Sequence, residues 1–501
     1  MPIKQTEYIL ALDQGTTGTR AVIFNHNTRR VLTAATALTP IIPQPGWQEQ
    51  RPTDIWESVQ SVIGDALINA GINASDIKAI GIASQRETTI VWNRETGQPI
   101  YNAISWASLQ SAEIAEQLVA DGYAKTIHEK TGLPINPYFS ATKIRWILDH
   151  VDGAQELAEA GKLAFGTVDS WLVWQLTDGQ AHVTDASNAA RTMLYNIHTQ
   201  SWDPELLDIF NIPASMLPEV HASSEVITKT SPLHFFGNAV PIACLIGDQN
   251  AALIGQLGIH PGDIKATYGA GAFLLLNTGD QPISTENLTT TIAYQVGDQT
   301  TYALDGAVFN AGSALQWLHT NLDLIENQVD SWHAADASTN HNEIYMVPAF
   351  NGLGAPYWNP QARGSVLGLT RSTTKNDFIK ATLQSIAYQT ADIMNLMNQA
   401  AVVKPTELKA DGSVSRNPYL MQFQANIANM PVQRAMDEDT TAMGAAFLAG
   451  IATGYWHNLA DLEEHVLQGR RFEPTIDDQT RTRLLDGWHA AVKTTEIFAE
   501  D

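Results

Sequence analysis

An apolar run that stops at a carboxylate, a glycine and two hydroxyls opens this chain, and a similar unit returns in its second half. Tyr8-Ile9-Leu10-Ala11-Leu12 reads as a buried strand. Asp13-Gln14-Gly15-Thr16-Thr17 follows, and Ala21-Val22-Ile23-Phe24 reads as a second strand with Arg20 at its start. Further on, residues 264–268 predict a strand, Gly269-Ala270-Gly271 a turn, and residues 273–276 another strand. Two similar halves facing each other would put both glycine turns in one shared cleft.

The first turn suits the phosphate tail of a nucleotide. Gly15 lets the backbone approach closely. Thr16 and Thr17 offer hydroxyl and amide donors, Arg20 adds positive charge, and Asp13 can hold a hydrated magnesium ion. An ordinary hairpin turn draws on the same residue types, so the five residues alone leave both readings open.

A length of 501 residues predicts two large domains. Strand-like and helix-like segments alternate, which argues for an α/β architecture. Residues 77–83 and 240–246 read as strands, and residues 250–256 as a helix. A Pro52-Thr53-Asp54 start signal precedes a helix with Ile55, Trp56, Val59, Val62, Ile63, Ala66 and Leu67 on one face. The longest predicted helix covers 376–397, with Ile379, Leu383, Ile386, Ala387, Thr390, Ile393 and Met397 as its inner stripe. Gly-Ile-His-Pro-Gly at 258–262 interrupts both patterns and sets the predicted domains at 1–257 and 258–501.

No apolar run is long enough to span a bilayer, and residues 1–6 carry no secretory h-region. Cys244 is the single cysteine, which excludes an intramolecular disulfide. Both point to the cytoplasm. A formal charge of -24 repels nucleic acid and anionic membranes, so neither is expected as a partner. It also repels ATP at long range, so a nucleotide site needs local donors and a metal.

An ordered set of motifs runs nearly end to end: Leu-Asp-Gln-Gly-Thr-Thr at 12–17, Gln-Arg-Glu-Thr-Thr at 85–89, Asn-Pro-Tyr-Phe-Ser at 136–140, Gly-Thr-Val-Asp at 166–169, Gly-Asp-Gln at 247–249 and Pro-Ala-Phe-Asn-Gly-Leu-Gly-Ala-Pro-Tyr-Trp at 348–358. In this set the chain resembles the FGGY family of carbohydrate kinases. The resemblance implies two actin-like (ribonuclease H-like) ATPase domains around a central cleft that closes over ATP and a polyol. The activity it implies is ATP-dependent phosphorylation of glycerol to sn-glycerol 3-phosphate in glycerol catabolism. Alternatives are a kinase of a related polyol or ketose, or a catalytically weakened glycerol-binding paralogue.

Glycerol is small, neutral and rich in hydroxyls, so its site needs paired donors and acceptors between apolar walls. The adjacent Arg86 and Glu87 can donate to one hydroxyl and accept from another; a surface ion pair is the bland reading of the same dipeptide. The resemblance makes Arg86, Glu87, Tyr138, Asp248 and Gln249 the glycerol contacts, and Trp106 and Phe273 the walls of its carbon chain. Core or loop packing explains the aromatics equally well from spacing alone. Asp248 falls between a strand end and a helix start, where an N-cap aspartate is also expected. The functional reading makes it the general base that takes the proton of the attacking hydroxyl.

On the nucleotide side, the resemblance puts Thr16, Thr17, Gly18 and Arg20 at the phosphates and Asp13 at Mg2+. It puts Gly269, Ala270, Gly312, Gln316, Ser413 and Asn417 along the rest of ATP. The chain departs from the family pattern in several places. Ala270 replaces a threonine, Gly18 a serine, Ser413 a glycine, and Ala107-Ser108-Leu109-Gln110-Ser111 an arginine-rich segment. Losing a hydrogen bond to a charged oxygen costs about 1.5–3 kcal/mol when nothing replaces it. These departures are the motive for the weakened-paralogue alternative.

His234 in Leu233-His234-Phe235-Phe236-Gly237 resembles a histidine that some Gram-positive members present to the histidine phosphocarrier protein of the sugar phosphotransferase system. Its phosphorylation would raise activity; an unmodified loop histidine is the alternative. The fructose 1,6-bisphosphate loop of other members has no counterpart at 231–240, so no inhibition by that sugar is expected. The family forms homodimers and homotetramers, and a homo-oligomer is expected here.

Overall fold

The structure, a computed structural model, describes residues 7–338, 343–350 and 352–500. Residues 1–6, read above for a leader, and Asn351 of the 348–358 motif lie outside the described residues.

Strands from both halves join in one 13-stranded sheet. In the first half, Tyr8–Gln14, Gly18–Phe24 and Arg30–Ala37 run antiparallel, as short turns require. Tyr8–Gln14 also pairs in parallel with Ile77–Ser84, which pairs in parallel with Pro241–Gly247. Parallel neighbours need crossovers, and helix Pro52–Ala70 supplies the first. Ile55, Val59, Val62, Ile63, Ala66 and Leu67 of its apolar stripe are buried, while Trp56 at the margin is half-buried. The second crossover, residues 85–240, is far longer and has its own core around Phe139, Ile144, Ile147, Leu206 and Phe210.

The second half repeats the order. Ile264–Tyr268 and Ala272–Gly279 form an antiparallel pair, and Ile264–Tyr268 pairs in parallel with Leu408–Asp411, then Val432–Ala435. One strand is exchanged: Thr289–Val296 and Gln299–Val308 form a hairpin whose second arm lies against Ala272–Gly279. Helix Lys375–Ala400 crosses this sheet, started by a capping box between Thr374 and Asp377, with its whole predicted stripe buried. The fold is therefore two ribonuclease H-like α/β units, as in actin-like proteins.

The units are interlocked. Helix Thr440–Ala452, late in the chain, packs on helix Asp248–Gly255 and on the first-half sheet. A Cβ on Gly444 would lie 1.8 Å from the Ala251 carbonyl oxygen, so this crossing admits only glycine there. Among the described residues, no helix is long and apolar enough to cross a membrane.

Candidate active site

Parallel strands that end on one side leave their following loops around a common crevice. Asp13 stands near the end of the first strand, Arg86 and Glu87 follow Ile77–Ser84, and Asp248 follows Pro241–Gly247.

Arg86 and Glu87 are 3% and 1% exposed, which rules out a surface ion pair. Arg86 Nη1 donates to Asp305 Oδ2 at 2.7 Å. Arg191 Nε donates to Glu87 Oε1 at 2.6 Å, and its Nη1 lies 3.1 Å from Asp305 Oδ2. Two guanidiniums and two carboxylates thus form a buried ring, with Asp305 contributed by the second half. Burial alone would raise the Asp305 carboxyl, but Arg86 and Arg191 hold it below its ordinary value. Burial raises the Glu87 carboxyl despite the pull of Arg191 and Arg86. Arg86 Nη2 is buried with no hydrogen-bond partner among the described residues. An orphaned donor on a buried cation is costly unless a ligand meets it. Glu87 holds a left-handed backbone, φ +59°, a conformation that costs about 1–3 kcal/mol outside glycine.

Aromatic rings stand beside the ring of charges. Trp106 meets Tyr138 and Phe273 edge-to-face at 5.8 and 5.6 Å, and Tyr138 lies 6.3 Å from Phe309. The Arg191 guanidinium stacks over Tyr138 and Phe139 at 5.7 and 5.1 Å. Burial keeps the Tyr138 phenol protonated far above its ordinary range. The fully buried Lys143 ties the loop down by donating to the carbonyls of Pro137, Tyr138 and Phe139. Burial pushes its ammonium down to about 7, against the pull of Glu87.

Asp248 is the first residue of its helix; Gly247 takes the N-cap position. Asp248 Oδ1 accepts the Gln249 amide at 2.7 Å and lies 3.7 Å from Arg86 Nε. The side chain is 24% exposed, so one side remains open to a ligand. Gln249 Oε1 accepts from Lys265 Nζ at 2.6 Å, and Gln249 Nε2 points to Asp248 Oδ2 at 3.3 Å.

The residues expected at the nucleotide are more open. Burial pushes the half-buried Asp13 carboxyl up to about 7 against the pull of Arg20, and Asp248, Asp439 and Asp411 push it the same way. Thr16 Oγ1 accepts from the Trp106 indole at 2.7 Å, joining the first glycine turn to the aromatic rings. Thr17 is exposed. Arg20 Nη1 bonds Asp439 at 3.2 Å, and Arg30 and Thr33 share the same carboxylate at 2.6 and 3.0 Å. A Cβ on Gly18 would stand 2.7 Å from the Thr36 carbonyl oxygen, so the neighbouring strand explains this glycine. In the second turn the exposed Ala270 offers its carbonyl to the amides of Ala311 and Ser313. The Gly312 amide bonds the Gly269 carbonyl at 2.9 Å, and a Cβ on Gly312 would collide with that oxygen. Gln316 and Ser413 are exposed. Asn417 is buried, caps helix Pro418–Ala428 through its Oδ1, and donates to Ser331.

His234 lies on the outer surface of the first half, edge-on to Trp56 and 3.5 Å from Asp178. Leu233 and Phe236 beside it are 79% and 57% exposed.

The structure brings Arg86, Glu87, Trp106, Tyr138, Asp248, Gln249 and Phe273 together. Sequence reasoning missed Arg191, Asp305, Lys143, Lys265 and Asp439. A cation or carboxylate inside an apolar stretch was the available signal, as in Ile264-Lys265-Ala266 and Leu304-Asp305-Gly306.

Residues 8–255 and 264–453 match the sequence profiles of the N-terminal and C-terminal domains of the FGGY family of carbohydrate kinases. The chain is 55% identical to a glycerol kinase of Lactobacillus acidophilus over 494 residues, 98% of this chain and 99% of that one. It is 55% identical to a glycerol kinase of Streptococcus gordonii over 499 residues, 99% of each. The crystal structure of Plasmodium falciparum glycerol kinase with ADP superposes with a TM-score of 0.89 at 32% identity, over 98% of each chain.

Proposed function

The chain belongs to the FGGY family of carbohydrate kinases, and from that premise we propose that it is a glycerol kinase, transferring the γ-phosphoryl group of ATP to glycerol to give sn-glycerol 3-phosphate. Relatives at 55% identity over nearly the whole chain are glycerol kinases, which favours glycerol over another polyol or a ketose. One observation carries the reading at atomic level: Arg86, a buried guanidinium whose Nη2 has no partner among the described residues, sets its Nε 3.7 Å from the Asp248 carboxylate. Such a donor–acceptor pair matches vicinal hydroxyls.

In this reading Arg86 Nη2 and the Glu87 carboxylate hold the hydroxyls that do not react, and Gln249 Nε2 donates to one of them. Trp106, Tyr138 and Phe273 cover the carbon chain and keep water, the competing nucleophile, away. Asp248 takes the proton of the terminal hydroxyl as its oxygen attacks the γ-phosphorus, the bond to the β,γ-bridging oxygen breaks, and ADP leaves. Thr16, Thr17 and Arg20 line the phosphates with Gly18; Gly269, Ala270, Gly312, Gln316, Ser413 and Asn417 follow the rest of the nucleotide.

Asp13 fits a hard divalent cation: its carboxyl is crowded by other carboxylates, and Mg2+ takes one or two carboxylates plus phosphate oxygens. When bound, Mg2+ supplies charge neutralisation on the phosphates. The boundary between the two domains falls near 258–262, giving 1–257 and 258–501, and the enzyme works in the cytoplasm as a homodimer or homotetramer, which light scattering checks.

The phosphocarrier reading of His234 belongs to the same proposal. Exposed Leu233 and Phe236 give a docking rim, and a phosphoryl group on the imidazole would set its negative charge against the Asp178 carboxylate. His234→Ala should abolish labelling and activation by the phosphocarrier; retained activation ends that part.

The main test mixes protein, magnesium-ATP and a panel of polyols, following ADP release beside glycerol calorimetry. Turnover with glycerol is expected. Turnover with another polyol alone, or glycerol binding without turnover, overturns the reading.

A further inference from the structure

Lys265 is a buried cation that the mechanism above leaves unused. It stands on strand Ile264–Tyr268 of the second half with no solvent exposure. A plain packing position in that strand would take an apolar residue, because a buried ammonium must find partners to offset its lost hydration. Its Nζ donates to Gln249 Oε1 at 2.6 Å and to Thr267 Oγ1 at 2.9 Å. Asp411, Asp248, Asp305 and Arg86 are the charged groups that face it, and burial pushes its ammonium down to about 8.

A carboxamide has two nearly isosteric ends, and only its partners decide which end faces the ligand. Lys265 has no acceptor, so it claims the oxygen of Gln249. The amide nitrogen is thereby turned to the other side, where it lies 3.3 Å from Asp248 Oδ2. A flipped amide would set its oxygen against that carboxylate, an acceptor facing an acceptor. The contact also crosses the seam: Gln249 belongs to the first half and Lys265 to the second.

Resting on the glycerol kinase reading, we propose that Lys265 is a positioning residue that fixes the Gln249 carboxamide as a donor, and through it the Asp248 carboxylate, so that glycerol is gripped in one orientation. A buried ammonium in a kinase could instead touch a phosphate of the nucleotide, and the two roles leave different traces.

The experiment compares the full-length protein with Lys265→Met, Lys265→Gln, Gln249→Ala and the double variant Lys265→Met/Gln249→Ala. Glycerol binding is measured by calorimetry, and KM for glycerol and for ATP by ADP release. Lys265→Met should raise the glycerol Kd and KM about 10- to 100-fold, the scale of one lost hydrogen bond at a charged site, and leave the ATP KM within about twofold. Lys265→Gln keeps a donor and should recover most of the loss. The double variant should bind glycerol no worse than Gln249→Ala alone, since both changes remove one device. Additive losses, a large rise in the ATP KM, or an unchanged glycerol Kd in Lys265→Met overturn the proposal. If Lys265→Met does not fold, Lys265→Gln against Gln249→Ala decides by the same criteria. Failure of the functional reading looks different: the unmodified protein would then neither bind nor turn over glycerol.

Discussion

The two sides of the cleft are built to different standards. On the proposed polyol side, Arg86, Glu87, Arg191 and Asp305 are all buried and mutually paired, and the aromatic rings touch one another. On the proposed nucleotide side, Thr17, Arg20, Ala270, Gln316 and Ser413 are exposed. A neutral triol has little charge to be recognised by, so its pocket must be rigid and dry before it arrives. A triphosphate brings its own charge and can organise flexible donors around it. Of the departures expected from the sequence, Gly18, Ala270 and Ser413 fall on this more open side, while residues 107–111 follow Trp106 on the other.

The largest effect should come from the residue between the two sides. Asp248→Asn keeps size and polarity but cannot accept a proton, and should lower kcat about 10³-fold or more with glycerol affinity largely kept. Near-normal turnover would remove Asp248 as the base. Next, Arg191→Met leaves Glu87 and Asp305 short of a cation inside the protein. Breaking a buried pair costs about 3–5 kcal/mol. Melting temperature should fall, and glycerol affinity should drop roughly 100-fold, with the ATP KM little changed. An equal rise in both KM values would erase the contrast between the sides.

This contrast was only half legible in the sequence. The strand–turn–strand repeats, the helix after Pro52 and the 376–397 stripe were readable because period and start signals are local. Arg86 and Glu87 were readable as a motif, but their partners Arg191 and Asp305 lie 104 and 219 residues away along the chain. Only the folded crossover, for Arg191, and the second-half strand Gln299–Val308, for Asp305, bring those together. Lys143 was hidden for another reason: it looks like a helix surface residue until burial is known, whereas Lys265 at least interrupts an apolar strand. The strand exchange at 289–308 and the return of helix Thr440–Ala452 to the first half are choices of topology that hydrophobic periodicity does not encode. Gly18 reads as a lost hydroxyl in sequence and as a packing requirement beside Thr36 in structure.

A smaller effect sits at Asp13 and is visible without nucleotide. Its carboxyl is raised to about 7 by burial, so the folded protein holds a proton that the unfolded chain, titrating near 4, has lost. Folded stability from this group is therefore full at low pH and declines as pH rises from about 4 to about 7, then levels off. Asp13→Asn should raise the melting temperature of the ligand-free protein above pH 7 and leave it unchanged near pH 4. It should also weaken Mg2+-dependent ATP binding. Equal melting curves at pH 8 would mean that water relieves the carboxylate.

The smallest effect tests whether the open side tolerates change because it is open. Ala270→Thr restores a hydroxyl at an exposed turn tip whose backbone carbonyl is already fixed by Ala311 and Ser313. Nothing in the turn has to move, so the ATP KM should fall about tenfold, the lower end of the scale of one hydrogen bond to a charged oxygen. Gly18→Ser adds the same group in the first turn, but its Cβ would press on the Thr36 carbonyl oxygen. The strand Arg30–Ala37 must then shift, and with it Arg30 and Thr33, which hold Asp439. Gly18→Ser should therefore give no gain in ATP affinity and a lower melting temperature. A gain at Gly18 equal to that at Ala270 would mean that the first turn is as free as the second, and that the nucleotide side is soft throughout rather than pinned at one edge by Asp439.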